Sequence, residues 1–337
     1  MSSNPEMMTA MGIEQYGGAE VIKRLQVPRP QMEAEAVLIR VAAAAVNPAD
    51  WRLRSGQFRN FIRIKDHYIL GADIAGVVEA VGASVKAFRP GDRVYTFLPF
   101  NKGGGYAQYA AAHASKVAHL PRNLTFTEAA AVPTAALTAL QALQTINIKT
   151  GDNLLIYGAS GGVGTFAVQI AKAMGAQVTG AASGRNAELV KRLGADAFVD
   201  YQTADLQTLN AQFDAVFDAV NYLPFTAARG LLKRGGRYVS VNPTVNFSPR
   251  TWAQRLTSGM TVKGLFVRAD QNDYATLKTW FESGQVRSVI DCTFPFDQVA
   301  EALTVSETGR TRGKLVVVVN EALAATAPTQ QVQPLQV

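Results

Sequence analysis

The run Tyr157-Gly158-Ala159-Ser160-Gly161-Gly162-Val163-Gly164 leaves this chain few architectures. It follows the apolar stretch 154–157 and opens a second apolar stretch that ends near Met174, so it reads as strand, tight turn and helix. Small residues let a backbone approach a pyrophosphate, and a helix N-terminus supplies free N–H groups and the positive end of its dipole. Gly164 allows close packing of helix on strand. The segment is read as a dinucleotide-binding turn in which Ala159, Ser160, Gly161, Gly162, Val163 and Gly164 face the ligand. A tight turn without a ligand is the alternative. The rhythm continues downstream, with strands predicted at 177–181, 197–199, 215–217, 238–241 and 261–267 and helices at 186–193, 225–232 and 274–282. Such alternation predicts a parallel sheet with helices on both faces.

The position roughly 20 residues beyond the turn distinguishes the dinucleotides, because an NAD site places an acid there to accept from the ribose 2′-hydroxyl. Here the segment is Ala182-Ser183-Gly184-Arg185-Asn186, which offers a hydroxyl and a guanidinium instead. Ser183 and Arg185 can donate to a 2′-phosphate, Arg185 through charge-assisted bonds. NADPH is therefore the expected cofactor. The competing reading has both residues merely capping the helix that begins near Asn186.

The N-terminal part has a different texture. Strands are predicted at 37–44, 75–81 and 92–97, punctuated by Pro48, Gly71, Gly82, Pro90 and Gly91. A helix is predicted over 127–144, with Thr125 or Thr127 as N-cap. After Arg287 come a helix at 297–305 and a strand at 314–319, and residues 322–337 read as a mobile tail with little to bury. Residues 1–127 with 287–337 therefore form one mainly β domain, and residues 128–286 form the nucleotide-binding domain.

The 33 Lys and Arg against 26 Asp and Glu give a net charge of +7, but the charges form no run. Nucleic acid is thus disfavoured, and a polyanionic small ligand accounts for the excess. Cys292 is the only cysteine, which excludes an internal disulfide and any cysteine cluster for zinc. No signal peptide or membrane span is read from the apolar runs, and a cytoplasmic protein is expected.

Several motifs in order give the chain a family resemblance: Val46-Asn47-Pro48-Ala49-Asp50, Gly71-Ala72-Asp73-Ile74-Ala75-Gly76-Val77-Val78, Arg89-Pro90-Gly91-Asp92-Arg93-Val94, Gly105-Tyr106-Ala107-Gln108-Tyr109, the glycine turn, Leu193-Gly194-Ala195-Asp196 and Gly313-Lys314-Leu315-Val316. From about Ile13 to Val319 the chain resembles the medium-chain dehydrogenase/reductases, in particular the zinc-independent quinone oxidoreductase branch. The resemblance implies a Rossmann domain inserted into a GroES-like catalytic domain, with a cofactor cleft between domains. It also implies a homodimer formed through the last Rossmann strand. Zinc-dependent relatives hold the metal with a Cys near the position of Asn47 and a His-Glu pair where this chain has Ala72-Asp73. His67, His113 and His119 are not grouped with other ligands, so no zinc is expected.

Without a Lewis acid, hydride transfer favours an acceptor that spreads charge over its own conjugated system, such as a quinone or an α,β-unsaturated carbonyl. Alternatives in view are an enoyl-thioester reductase and a non-catalytic NADPH-binding or sensor protein. Asn47 is the first candidate for a polar contact to the acceptor, because its family counterpart lies beside the nicotinamide. Capping the Asn47-Pro48 turn is its other reading. Tyr106 is a candidate proton donor. Trp51, Phe58 and Phe61 are candidates for an aromatic pocket, with packing as the alternative, and Asp50 is expected to pair with Arg52 or Arg54. Carried over as cofactor contacts are Thr138 and Asn47 near the nicotinamide, Tyr201 near the 2′-phosphate or adenosine, Phe266 and Val267 against the carboxamide, and Lys314. Asn242 ends a predicted strand, a place that faces the cofactor crevice in such sheets.

Overall fold

The computed structural model describes residues 6–204, 206, 212–247 and 259–329. The chain divides into two compact units. The first joins Met1–Thr134, Ala269–Glu282 and Ile290–Val337, and the second joins Ala135–Arg268 and Ser283–Val289.

In chain order the first unit opens with β1 (Met7–Ile13), β2 (Ile22–Pro28) and β3 (Ala36–Ala45). The helix α1 (Pro48–Arg54) begins on a proline, whose missing N–H is no loss in a first turn. Then come β4 (Tyr68–Ile69), β5 (Asp73–Val81), β6 (Arg93–Phe97), β7 (Tyr109–His113) and β8 (Val117–His119). The expected helix over 127–144 is two helices, α2 (Phe126–Ala130) and α3 (Pro133–Thr145), because Pro133 cannot donate to a preceding turn. Thr125 is the N-cap: its hydroxyl accepts from the Glu128 N–H while the Glu128 carboxylate accepts from the Thr125 N–H.

The second unit contains β9 (Asn153–Tyr157), α4 (Gly162–Ala173), β10 (Gln177–Ala182), α5 (Ala187–Arg192), β11 (Ala197–Asp200) and β12 (Phe213–Asp218). The expected helix over 225–232 is shorter, α6 (Phe225–Ala228), since Leu232 already starts β13 (Leu232–Ser240). The last strand, β14 (Thr261–Gly264), stops three residues before the expected end. The strands form one sheet of order β11-β10-β9-β12-β13-β14, every pair parallel. This is the doubly wound order in which the sheet grows first to one side of β9 and then to the other. The two sides diverge between β9 and β12, where the glycine turn leaves β9.

The chain returns to the first unit with α7 (Gln271–Glu282), β15 (Ile290–Pro295), α8 (Val299–Glu307), β16 (Lys314–Val318) and α9 (Glu321–Ala324). The sequence placed α7 with the nucleotide domain. It groups with the β unit because the Tyr274 ring meets Tyr95 edge-on at 5.0 Å and Gln271 donates to the Ser115 and Val117 carbonyls. The path β15-β16-β3-β5-β6-β8 forms a sheet with β7 on β3, and β2-β1-β4 form another. The expected tail from residue 322 is corrected over its first part: Asn320 caps α9 by accepting from the Leu323 N–H, and Thr329 donates to the Arg122 carbonyl. Residues 330–337 lie outside the described residues. Among the described residues no helix is long and apolar enough to cross a membrane.

Candidate functional site

In the second unit, Gly158 has φ +81, a conformation that side chains disfavour. Its N–H and that of Ala159 both donate to the Ala181 carbonyl, which ties the turn to the end of β10. A Cβ on Gly164 would lie 2.0 Å from the Gly158 oxygen, so helix and turn touch backbone to backbone. Gly161 is different. Its nearest neighbour to an added Cβ is 3.5 Å away, an ordinary van der Waals contact, with φ −81, so no protein atom crowds the space above it. The first turn of α4 leaves N–H groups without intrahelical partners beside that space. An uncrowded glycine at a helix N-terminus fits the pyrophosphate of a dinucleotide.

Asn186, which sequence reasoning treated only as a helix start, joins this turn to the 2′-phosphate candidates. Its Nδ2 donates to Ser160 Oγ at 2.9 Å and to Ser183 Oγ at 3.1 Å. Neither Ser183 nor Asn186 caps a helix through its side chain, so the capping reading of Ser183 is not what the fold uses. The buried Asn186 Oδ1 has no partner, an acceptor suited to a ligand hydroxyl or amine. Arg185 is exposed beside them. Asp200 was also missed: its carboxylate lies 2.4 Å from where a Gly184 Cβ would be and accepts from the Gln202 N–H. An acid therefore backs the same turn, beside the exposed Arg185.

The remaining candidates of this unit are spread along the sheet's carboxyl edge and α3. The Tyr201 ring lies 5.3 Å from that of Tyr157, and Asn242 follows β13 with its Oδ1 held by Thr244. Thr138 is buried on α3, while Phe266 is 77% exposed beyond the end of β14, with Val267 half-buried next to it. Asp218, buried at the end of β12, accepts from the N–H groups of Val220, Tyr222 and Leu223. It thereby folds the loop whose Val220 methyl fills the space a Gly158 side chain would need, at 2.5 Å.

In the first unit, the motifs around Asn47, Asp73, Tyr106 and Lys314 converge on one buried polar cluster. Lys314 Nζ donates to Asn47 Oδ1 at 2.6 Å and to the Val46 carbonyl at 2.9 Å, and lies 3.7 Å from Asp73 Oδ2. Asn47 Nδ2 donates to Asp73 Oδ2 at 3.0 Å. The other Asp73 oxygen accepts from the Thr134 N–H and hydroxyl at 3.0 and 2.6 Å. Burial pushes the Asp73 carboxyl up and the Lys314 ammonium down, each opposed by the charge of the other.

Three expectations change here. Lys314 is buried with its donors engaged within the protein, so it acts on Asn47 and Asp73 and is not a direct cofactor contact. Tyr106 is fully buried and donates to Asp50 Oδ2 at 3.0 Å, and burial with the neighbouring Asp50 charge raises its phenol well above the ordinary range, so it is not poised as a proton donor. Among the described residues, Asp50 pairs with no arginine. It accepts from the Asn47 N–H, whereas Arg54 pairs with Glu307 and the Arg52 guanidinium lies 5.2 Å from the Trp51 ring. Of the aromatic candidates, Trp51 and Phe58 pack against the core, Phe58 edge-on to Phe100, while Phe61 is 87% exposed.

Burial, with the Asp73 charge, pushes the Asp50 carboxyl up to about 6 against the hydrogen bonds from Asn47 and Tyr106 and the Lys314 charge. The folded state thus binds more protons than the unfolded state between pH about 4 and 6, and its stability falls as pH rises through that window. A difference of two pH units corresponds to about 3 kcal/mol. Both donors reach the same oxygen, so Asp50→Asn keeps both bonds with its amide oxygen in that place. Relative to wild type, the variant is expected to gain about 3 kcal/mol between pH 4 and 7 in denaturant unfolding. A stability difference independent of pH would refute the assignment.

Residues 33–122 match the alcohol dehydrogenase GroES-like domain, and residues 193–317 match a family described as zinc-binding dehydrogenase. The chain is 34% identical over 324 residues to a chloroplast envelope quinone oxidoreductase homolog of Arabidopsis thaliana, covering 93% of this chain and 98% of that one. It is 33% identical to an NADPH-dependent alkenal/one oxidoreductase, chloroplastic, of the same plant, covering 94% of this chain and 81% of the relative. Among solved structures, the quinone oxidoreductase from Coxiella burnetii superposes with a TM-score of 0.86 at 32% identity, covering 94% of this chain and 100% of the other. With a GroES-like unit, a doubly wound nucleotide unit and relatives of this similarity over nearly its whole length, the chain belongs to the quinone oxidoreductase branch of the medium-chain dehydrogenase/reductase superfamily.

Proposed function

We propose that the protein is a zinc-independent, NADPH-dependent reductase of quinones or α,β-unsaturated carbonyls. The observation that carries this reading is the Asn47–Lys314–Asp73 cluster. Zinc-dependent relatives have ligands at the positions of Asn47 and Ala72. Here an amide and a methyl stand there, and the neighbouring carboxylate is held by Thr134, Asn47 and Lys314. A neutral amide, an alanine and an engaged carboxylate are a poor donor set for zinc. The names of the relatives, among them quinone oxidoreductases and an alkenal/one oxidoreductase, support the acceptor class.

When bound, a reduced nicotinamide supplies a hydride from C4. The acceptor takes this hydride at a conjugated carbon or quinone oxygen, its electron pair moves onto a carbonyl oxygen, and a proton from solvent completes the two-electron reduction. Asn47 contributes an N–H to the oxygen that gains charge. Such a donor acts most strongly as the charge develops. The Gly161 turn and the N-terminus of α4 would hold the pyrophosphate, and Ser183, Arg185 and Asn186 would hold the adenosine end. A homodimer through β14 extends the reading, since among the described residues β14 is the last strand in the sheet order.

The test is a titration of chelator-dialysed protein with NADPH and with NADH, followed by NADPH oxidation over a panel of quinones and enones. Metal-free protein is expected to bind NADPH more tightly and to turn over both acceptor classes. Loss of turnover on dialysis, restored by zinc, would overturn metal independence. Arg185→Ala is expected to weaken NADPH about 10- to 150-fold, a charge-assisted bond of about 1.5–3 kcal/mol, and to leave NADH nearly unchanged. Equal losses for both cofactors would remove Arg185 from the 2′-phosphate.

A further inference from the structure

An asparagine amide has two faces, and its partners decide which one is presented. An ammonium can only donate and an ionised carboxylate can only accept. Lys314 Nζ at 2.6 Å therefore fixes the Oδ1 end of Asn47, and Asp73 Oδ2 at 3.0 Å fixes the Nδ2 end. The 3.7 Å separation of Lys314 Nζ from the same Asp73 oxygen closes a ring through the amide. That ring uses the Nδ2 proton on the Oδ1 side and leaves the opposite proton uncommitted. The ammonium also withdraws charge from the amide oxygen through a short, charge-assisted bond, which strengthens the remaining N–H as a donor. The cluster is buried, so this polarisation acts in a low-dielectric setting.

We propose that Lys314 is a positioning residue of the reductase, holding Asn47 in one flip and polarising it so that its free Nδ2 proton stabilises the oxygen charge formed on hydride transfer. This rests on the quinone and enone reductase reading and assigns Lys314 a part in it. Removing an interaction made only as charge develops lowers kcat and kcat/KM together and leaves acceptor KM alone. A merely structural Lys314 has no such signature.

The single variant Lys314→Met strands the Asp73 carboxylate, so the decisive protein is Lys314→Met combined with Asp73→Asn. In that pair the new amide at position 73 keeps its oxygen toward Thr134 and donates its N–H to Asn47 Oδ1, which turns the Asn47 amide over. The cluster stays hydrogen-bonded but inverted. The double variant is expected to fold and to bind NADPH within about twofold of wild type, with kcat for a quinone such as 9,10-phenanthrenequinone lowered about 10- to 100-fold at little-changed KM. Asn47→Ala is expected to give a similar loss, and adding it to the double variant no further loss, because Lys314 works through Asn47. A folded double variant with wild-type kcat, or losses that multiply, would overturn the role of Lys314 while leaving the reductase reading intact. Absence of turnover in the wild type with every quinone and enone would bring down the reductase reading, and this inference with it, before any variant is compared.

Discussion

Gly164→Ala is expected to destabilise the second unit by about 2–4 kcal/mol and to abolish NADPH binding, whereas Gly161→Ala weakens NADPH and leaves stability nearly unchanged. The two glycines stand three residues apart in one motif, yet they meet different surroundings. A methyl on Gly164 would lie 2.0 Å from the Gly158 oxygen and 2.8 Å from two Ala159 backbone atoms. None of these is a flexible side-chain end. Relief requires α4 to lift from the turn, which uncouples a helix lined by Phe166, Val168 and Ile170, all fully buried. Overpacking of this kind costs about 1–3 kcal/mol, and more where backbone must move. At Gly161 the methyl meets protein atoms no closer than 3.5 Å, at a φ that alanine adopts freely. It instead occupies the space assigned to the pyrophosphate, with an expected loss of about 10- to 100-fold in NADPH affinity, or about 1.4–2.7 kcal/mol. Thermal unfolding and fluorescence titration of both variants separate the two effects. Undiminished NADPH affinity in Gly161→Ala would mean that no pyrophosphate sits above that glycine.

The parallel sheet was legible because its strands and helices alternate with strong periodicity, and because the glycine turn marks where the sheet reverses. The helix of the first unit that spans residues 271–282 was not assigned correctly, since nothing local to Tyr274 or Gln271 announces that they pack on Tyr95 and the 115–117 backbone. The same limit governs the site. Ser183 and Arg185 could be read from their spacing to the turn, but Asn186 and Asp200 gain meaning only when β10 and β11 bring them to one place. Asn47, Asp73, Tyr106 and Lys314 each sit in a recognisable motif, whereas their convergence depends on β3, β5 and β16 being neighbours in one sheet. Motif reading therefore found the residues and misjudged the roles of Tyr106 and Lys314, because burial and hydrogen-bond partners are properties of the assembled sheet.

The stability of that assembly should follow the charge left behind in it. Lys314→Met alone removes the cation beside a fully buried Asp73, and breaking a buried pair in this way typically costs about 3–5 kcal/mol. The carboxyl has an escape, which is to take up a proton. From an ordinary value of 3.8, doing so at pH 7 costs about 4 kcal/mol, which caps the loss in the same range. The sign of the pH dependence follows. In the variant the folded-state pKa of Asp73 is raised further above its unfolded value, so the folded protein binds the extra proton and its stability increases as pH falls. At pH 5 the remaining cost is about 1.6 kcal/mol, so the deficit against wild type should shrink by up to about 2.7 kcal/mol between pH 7 and 5. Adding Asp73→Asn removes the titrating group, so the deficit should then be small and should no longer shrink as pH falls. Denaturant unfolding at several pH values reads all three proteins. A deficit for Lys314→Met that does not change with pH would mean that Asp73 is not left ionised and unpaired, and would place the loss in packing of the lysine stem instead.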